Sequence, residues 1–184
     1  MTDVPISWFV MRSSGLVAVG LLTVAVVVGL VGPRLRPTAR LSAISVHRAA
    51  SLMGSLLIVA HVVLAVLDRW IVLDWPAAFV PGVASWQRWG VGLGALALDL
   101  LAVVLLTSAT RRHGPTLWRR AHLLSYPLWA LAVGHGLLVG SDGAVMRAMA
   151  MASAGVVLLA LAIRVLVRPR YAPAVPVLVG GTPR

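Results

Sequence analysis

The chain has 184 residues, of which 60% are hydrophobic and only 11% are charged, and its mean hydropathy is +0.95. These values exclude an ordinary soluble domain and predict a protein embedded in membrane lipid. The formal net charge is +11, and every basic residue is an arginine. Because the arginines lie between apolar runs and form no contiguous basic face, they indicate membrane topology and not nucleic-acid binding. The sequence contains no cysteine, which excludes disulfides, iron–sulfur clusters and thiolate metal ligands.

A transmembrane helix needs about 20 predominantly apolar residues, and five stretches of the chain qualify. They cover residues 8–31, 47–67, 89–109, 118–139 and 144–167. The first lacks a basic leader and an Ala-x-Ala cleavage site, so we expect it to be a retained span and not a signal peptide. The predicted fold class is therefore an all-α integral membrane protein, a bundle of five transmembrane helices.

Arginine is concentrated in two of the predicted loops. Residues 33–48 and 110–120 hold four arginines each, whereas residues 68–88 and the turn near Ser141 balance their few charges. The positive-inside rule places the first two loops in the cytoplasm, which puts the N-terminus outside and the C-terminus inside. We expect residues 1–167 to form one membrane domain. Residues 168–184 are rich in Pro and Gly and are predicted to be a flexible cytoplasmic tail.

Four of the five histidines lie in two of the spans, where ionisable side chains are costly and typical of functional sites. His47 and His61 are fourteen positions apart on the second span, and His122 and His135 are thirteen apart on the fourth. At about 1.5 Å per residue, roughly 20 Å separates the members of each helix's pair. The two spans cross in the same direction, which predicts that His47 is level with His122 and His61 with His135.

Two imidazoles that face each other across a bundle can hold a haem iron in six-coordinate form, which favours electron transfer over substrate binding at the metal. The sequence thus predicts one haem site near each membrane face. Thirteen residues at about 100° each do not return to the same helix face, so the fourth span must deviate, and Pro127, Gly134 and Gly136 are candidate positions for a kink. His113 lies in an arginine-rich loop and is excluded as a ligand.

Two segments carry a resemblance to a known family: HRAASLMGSLLIVAH at residues 47–61 and RRAHLLSYPLWALAVGHG at residues 119–136. They resemble the two bis-histidine helices of the ferric reductase-like transmembrane domain. This family includes the membrane parts of ferric reductases and NADPH oxidases, and the haem-binding subunit of a bacterial periplasmic methionine sulfoxide reductase. The resemblance covers nearly the whole chain. It implies that residues 1–167 are a haem-binding domain in which His47, His61, His122 and His135 ligate two haems b.

Haem propionates are anionic and need cationic or hydrogen-bonding partners. Arg48 and Arg119 are the predicted partners at the cytoplasmic pair of histidines, with Arg120 beside them. Candidates at the other pair are Arg12, Arg69 and Arg88. Asp99 is the one carboxylate well inside a span, where we expect it to face the bundle interior, and the sequence does not identify its partner.

Larger members of the family continue into a flavin and NADPH domain, and no glycine-rich dinucleotide fingerprint follows a strand in this sequence. The first hypothesis is therefore a di-haem b cytochrome of the bacterial plasma membrane, an electron-transfer subunit of a redox system. It would need a separate donor, either a cytoplasmic dehydrogenase or a quinol, and a separate extracytoplasmic acceptor such as a flavoprotein.

Two alternatives remain at the level of sequence. The first is a mono-haem, quinol-oxidising anchor for an extracytoplasmic reductase. The second belongs to another class, a haem-free scaffold or metal transporter whose histidines bind an ion such as copper or zinc. The second requires ligands that converge at one depth, and separations of thirteen and fourteen residues oppose it.

Overall fold

The computed structural model describes residues 6–68, 73–141 and 143–167, and all regular structure in these ranges is helical. Five of its segments are long and apolar enough to cross a membrane, as predicted. Arg69 and the predicted tail at 168–184 lie outside the described residues. The helices are α1 (Ile6–Val31), a 3₁₀ turn (Gly32–Arg34), α2 (Pro37–Leu67), α3 (Trp75–Phe79), α4 (Arg88–Ala109), α5 (Pro115–His122), α6 (Ser125–Val139) and α7 (Gly143–Leu166).

The second span begins well before the predicted residue 47, because α2 starts at Pro37. Proline is favoured in the first turn of a helix, where its missing N–H removes no intrahelical hydrogen bond. Most of the segment 33–48 that was predicted as a loop is therefore helical, and that boundary was wrong. His47 consequently lies inside α2, more than two turns from its first residue.

The fourth span is divided, since α5 ends at His122 and α6 begins at Ser125. The cause is Pro127, whose ring clashes with the carbonyl of Leu123, four residues earlier, in a regular α-helix. The chain replaces the lost α-helical bonds with tighter ones that span three residues, and the Ser125 hydroxyl donates to the His122 carbonyl at 2.7 Å. The three-residue bonds are Leu123 N–H to Arg120 O at 3.2 Å, Leu124 N–H to Ala121 O at 3.0 Å and Tyr126 N–H to Leu123 O at 3.2 Å.

This break supplies the predicted deviation of the fourth span. A three-residue turn advances about 120° per residue, against about 100° in an α-helix, so the tightened segment rotates His135 toward the face that carries His122. The glycines play no part in the break, because α6 runs without interruption through Gly134 and Gly136.

Helix α1 lies at the centre of the described bundle and packs against α2, α6 and α7, while α4 packs against α6 and α5. The interior between these helices is filled by small apolar clusters, and Trp129 of α6 contacts three of them. The Trp129 indole N–H donates to the Thr23 hydroxyl at 3.0 Å, and that hydroxyl donates to the Val19 carbonyl at 2.8 Å. Many large apolar side chains on the outer faces are exposed, as expected for surfaces that contact lipid.

Replacing Trp129 with alanine should lower the free energy of unfolding by about 3 kcal/mol, because it removes the side chain shared by three apolar clusters. Trp129→Phe keeps most of the packing and should lose about 1 kcal/mol with the hydrogen bond to Thr23. Thermal unfolding in detergent measures both. The matched control is Trp89→Ala, since Trp89 is 79% exposed and its loss should change little. Equal losses at Trp129 and Trp89 would contradict the packing role.

The Pro127→Ala variant should close the break between α5 and α6, because it restores a backbone N–H and removes the clash with Leu123. The amides of residues 123–126 should then exchange with solvent more slowly in hydrogen-exchange mass spectrometry. Pro115→Ala is the control, because Pro115 is in the first turn of α5, where proline removes no helical bond. The explanation fails if exchange in residues 123–126 is unchanged by Pro127→Ala.

Candidate functional site

The four histidines of the second and fourth spans meet as two pairs. Each pair joins one ring from α2 with one from the α5–α6 span. The ring centroids of His47 and His122 are 6.0 Å apart, and those of His61 and His135 are 6.2 Å apart. His113 takes no part, since it is exposed in the turn between α4 and α5. The pairs therefore combine the histidines that the sequence placed at the same depth.

The spacing within each pair has a specific chemical meaning. Metal–imidazole bonds of about 2 Å, and about 1.1 Å from each ligating nitrogen to its ring centre, put two trans-axial imidazoles about 6 Å apart between centroids. Direct stacking or a hydrogen bond between the rings would bring them closer. The observed centroid distances of 6.0 Å and 6.2 Å match that separation, and the ring planes of the two pairs are inclined by 61° and 83°.

Three of the rings donate a hydrogen bond from Nδ1 to a backbone carbonyl of a neighbouring helix. A carbonyl oxygen only accepts, so Nδ1 must carry the proton, and the lone pair of the neutral ring lies on Nε2. Metal-binding histidines are typically oriented in this way. The bonds run from His47 to Ala25 O at 2.9 Å, from His61 to Met11 O at 2.8 Å and from His135 to Gly90 O at 2.8 Å.

His122 differs from the other three. Its Nδ1 atom is buried and has no hydrogen-bond partner among the described residues. The ring lies at the last residue of α5, and the ring of Trp118, one turn earlier, is 5.5 Å away between centroids and inclined by 40°. His122 is therefore held by packing where the others are held by a backbone acceptor.

Two cavities, of about 160 Å³ and 330 Å³, border the His61–His135 pair, and both are lined by the two histidines together with Gly15 and Trp86. The smaller extends toward the middle of the bundle, between apolar side chains of α1, α2 and α4. The larger extends toward the start of α1 and reaches Arg12. A flat macrocycle held between the two rings would occupy such space on both sides of the axis that joins them.

The donor set also limits the kind of metal site. Among residues 6–68, 73–141 and 143–167, no three His, Cys, Asp or Glu side chains are grouped as ligands of one ion. Zinc and copper sites built from protein ligands need three or four such groups. Asp99 is half-buried on α4 and lines neither cavity. Two imidazoles and apolar walls fit a metal whose remaining ligands belong to a porphyrin.

The predicted propionate partners are in different settings. Arg48 and Arg119 are exposed, at the end of the bundle that holds His47 and His122. Arg12 is half-buried, with its guanidinium 4.1 Å from the centre of the Trp8 ring. Arg88 donates from Nε to the Gly82 carbonyl at 2.6 Å. Arg12 is thus the arginine that lines a described cavity beside a histidine pair.

Sequence reasoning missed the acceptors of the histidine hydrogen bonds. They are main-chain carbonyls of Met11, Ala25 and Gly90, and no side-chain type identifies a carbonyl as an acceptor. The glycines of α1 and α4, the two helices that provide the acceptors, were a possible signal. They could identify the acceptor carbonyls only once it was known which helices are neighbours.

Together, the fold and the site define a multi-pass helical membrane protein with two level histidine pairs in its interior. The family described as "Ferric reductase like transmembrane component" matches residues 14–133, and the chain belongs to it. The match includes His47, His61 and His122 and ends just before His135. No curated protein and no solved structure matches the chain significantly. Domains of this family generally bind haem and work with other redox proteins, which makes the chain a membrane electron-transfer component.

Proposed function

We propose that this chain is a di-haem b cytochrome that passes electrons across a bacterial plasma membrane as a subunit of a redox system. The observation that carries the proposal is the pairing of His47 with His122 and of His61 with His135, at centroid distances of 6.0 Å and 6.2 Å. The Nδ1 bonds of three rings support it, because they place the proton on Nδ1 and leave the lone pair on Nε2, the nitrogen that would bind a metal. Family membership is independent support.

Each pair would hold one haem b, which supplies reversible one-electron oxidation and reduction when bound. Two histidines that hold one haem would leave no position on its iron for a further ligand, so these side chains would favour electron transfer over ligand binding. The two pairs lie at different depths, because the histidines on α2 are fourteen residues apart and those on the α5–α6 span are thirteen apart. The apolar side chains of the helices keep water out of the interior. The two sites would thus form a relay through the hydrocarbon layer.

The proposed orientation places the His47–His122 pair toward the cytoplasm. Residues 33–48 and 110–120, which lie at that end of the bundle, carry eight of the twelve arginines among the described residues. The proposed donor is therefore a cytoplasmic dehydrogenase or a membrane quinol. The proposed acceptor is an extracytoplasmic protein, with a flavoprotein as the class that accepts single electrons.

The haem content of the purified protein tests the proposal. Two haems per chain with bis-histidine optical spectra are expected. His61→Ala or His135→Ala should remove one haem, and His47→Ala or His122→Ala the other, because each change removes an axial ligand. His113→Ala is the matched control and should retain both. One haem in the unsubstituted protein would support the quinol-oxidising anchor instead. A folded, colourless protein would contradict both the di-haem cytochrome and the mono-haem anchor.

Arg48 and Arg119 are the proposed propionate partners at the His47–His122 pair. Positive charge near a haem disfavours its ferric form, so Arg48→Gln or Arg119→Gln should lower the midpoint potential of that haem and leave the other unchanged. A spectroscopic redox titration measures both potentials. Arg111→Gln is the control, since Arg111 is an exposed arginine in the α4–α5 connection. If all three variants give the same small shift, the effect is general surface charge and neither arginine contacts a propionate.

A further inference from the structure

A glycine lies against each of the three rings that donate to a carbonyl. A Cβ atom built on Gly94 would be 2.7 Å from Nδ1 of His135, and one built on Gly15 would be 2.9 Å from Nδ1 of His61. Both distances are shorter than real Cβ contacts. At Gly29 the nearest atom of His47 is 3.6 Å away, which is an ordinary van der Waals distance.

Each glycine follows the carbonyl acceptor by four residues. The pairs are Met11 with Gly15, Ala25 with Gly29, and Gly90 with Gly94. In an α-helix the carbonyl of residue i points toward residue i+4, and the Cβ of residue i+4 tilts back toward that carbonyl. Glycine at i+4 therefore opens the carbonyl to a ring from another helix. The helix keeps its own bond, since a carbonyl oxygen has two lone pairs.

The fourth histidine provides an internal contrast. Thirteen and fourteen residues beyond Gly94 on α4, where a glycine for His122 would be expected, the chain has Thr107 and Ser108. Their hydroxyls donate to the carbonyls four residues earlier, at 2.7 Å for Val103 and 2.6 Å for Val104. A hydroxyl bond does not by itself close a carbonyl, since the Met11 carbonyl accepts both from the Ser14 hydroxyl at 2.7 Å and from His61 at 2.8 Å. The contrast on α4 is that side chains stand where a glycine would be needed, and His122 is the ring whose Nδ1 has no partner among the described residues.

We propose that Gly15 and Gly94 are positioning residues that open a helix carbonyl to a haem-ligating histidine and so fix its tautomer and ring orientation. The inference rests on the proposed function. The bond to the carbonyl makes the imidazole a stronger donor, which stabilises ferric iron. The positioning glycines therefore hold the midpoint potential of the His61–His135 haem low.

Close helix packing is the competing explanation for glycines in membrane spans. It applies at Gly54, where an added Cβ would be 3.4 Å from the Cβ of Leu21 and would meet no histidine. Gly155 offers a second control, because an added Cβ would meet nothing within 4 Å. At Gly15 and Gly94 the obstructing atoms belong to a histidine ring, so an added methyl group displaces the ligand and leaves the helices in place.

The experiment uses purified protein loaded with haem. It compares Gly15→Ala, Gly94→Ala, Gly29→Ala, Gly54→Ala and Gly155→Ala by haem stoichiometry, redox titration and the electron paramagnetic resonance of the ferric haems. His61→Ala assigns the signals to the two pairs. Gly15→Ala and Gly94→Ala should raise the midpoint potential of the His61–His135 haem and change its resonance, or lose that haem. The His47–His122 haem should stay as it was, and Gly29→Ala should behave like Gly155→Ala.

Several results would overturn the inference. One is wild-type potentials and resonances in both Gly15→Ala and Gly94→Ala. Another is an equal change in the potentials or occupancies of both haems, accompanied by the same loss of thermal stability as in Gly54→Ala. Failure of both variants to fold would count equally against it, because the proposal requires the ring and not the helix to move. These outcomes differ from failure of the proposed function, in which the unsubstituted protein itself holds no haem.

Discussion

The structure depends on satisfying both nitrogens of an imidazole that is placed inside an apolar bundle. A polar group without a partner is expensive in such surroundings, and water is not available there. Three histidines meet the requirement at Nδ1 with a helix carbonyl, which leaves the lone pair of the other nitrogen, Nε2, for a metal in the proposed function. The carbonyl keeps its place in its own helix, so the arrangement preserves the backbone hydrogen bonds that a membrane span needs.

Because of this requirement, some helices provide the histidines and others provide the carbonyl acceptors. The ligands come from α2 and the α5–α6 span, whereas the acceptors come from α1 and α4, which must therefore pack closely beside them. Helix α1 provides two acceptors fourteen residues apart, and this separation equals that of His47 and His61 because the two helices are antiparallel neighbours. Trp129 lies about midway between the two histidine levels along the α5–α6 span and fills the interior there. Helix α7 provides neither ligand nor acceptor and supports α1.

Hydropathy and histidine spacing were sufficient to predict the five spans and the level of each histidine, since both follow from the constant rise of a helix. The start of α2 at Pro37 was missed because hydropathy detects the apolar part of a helix and not its polar extension. Of the three candidate kink positions, Pro127 is the one that acts, and its break lies at Leu123 and Leu124 because a proline clashes with the carbonyl four residues before it. The acceptor carbonyls could not be predicted at all, because they depend on which helices are neighbours.

The two histidine pairs are not equivalent, and the difference originates on α4. Near one end, Gly94 exposes the Gly90 carbonyl to His135, and near the other, the side chains of Thr107 and Ser108 stand where a glycine would be needed. The His61–His135 pair consequently has two carbonyl-bound rings and the His47–His122 pair has one. On the proposed function, the weaker donor set favours ferrous iron at the His47–His122 pair, whereas arginines lie near both pairs, Arg48 and Arg119 at this one and Arg12 at the other. The donor sets would thus place the potential of the His47–His122 haem above that of the His61–His135 haem. Electron transfer in the proposed direction would then be unfavourable between the two haems, and the extracytoplasmic acceptor would have to supply the overall driving force.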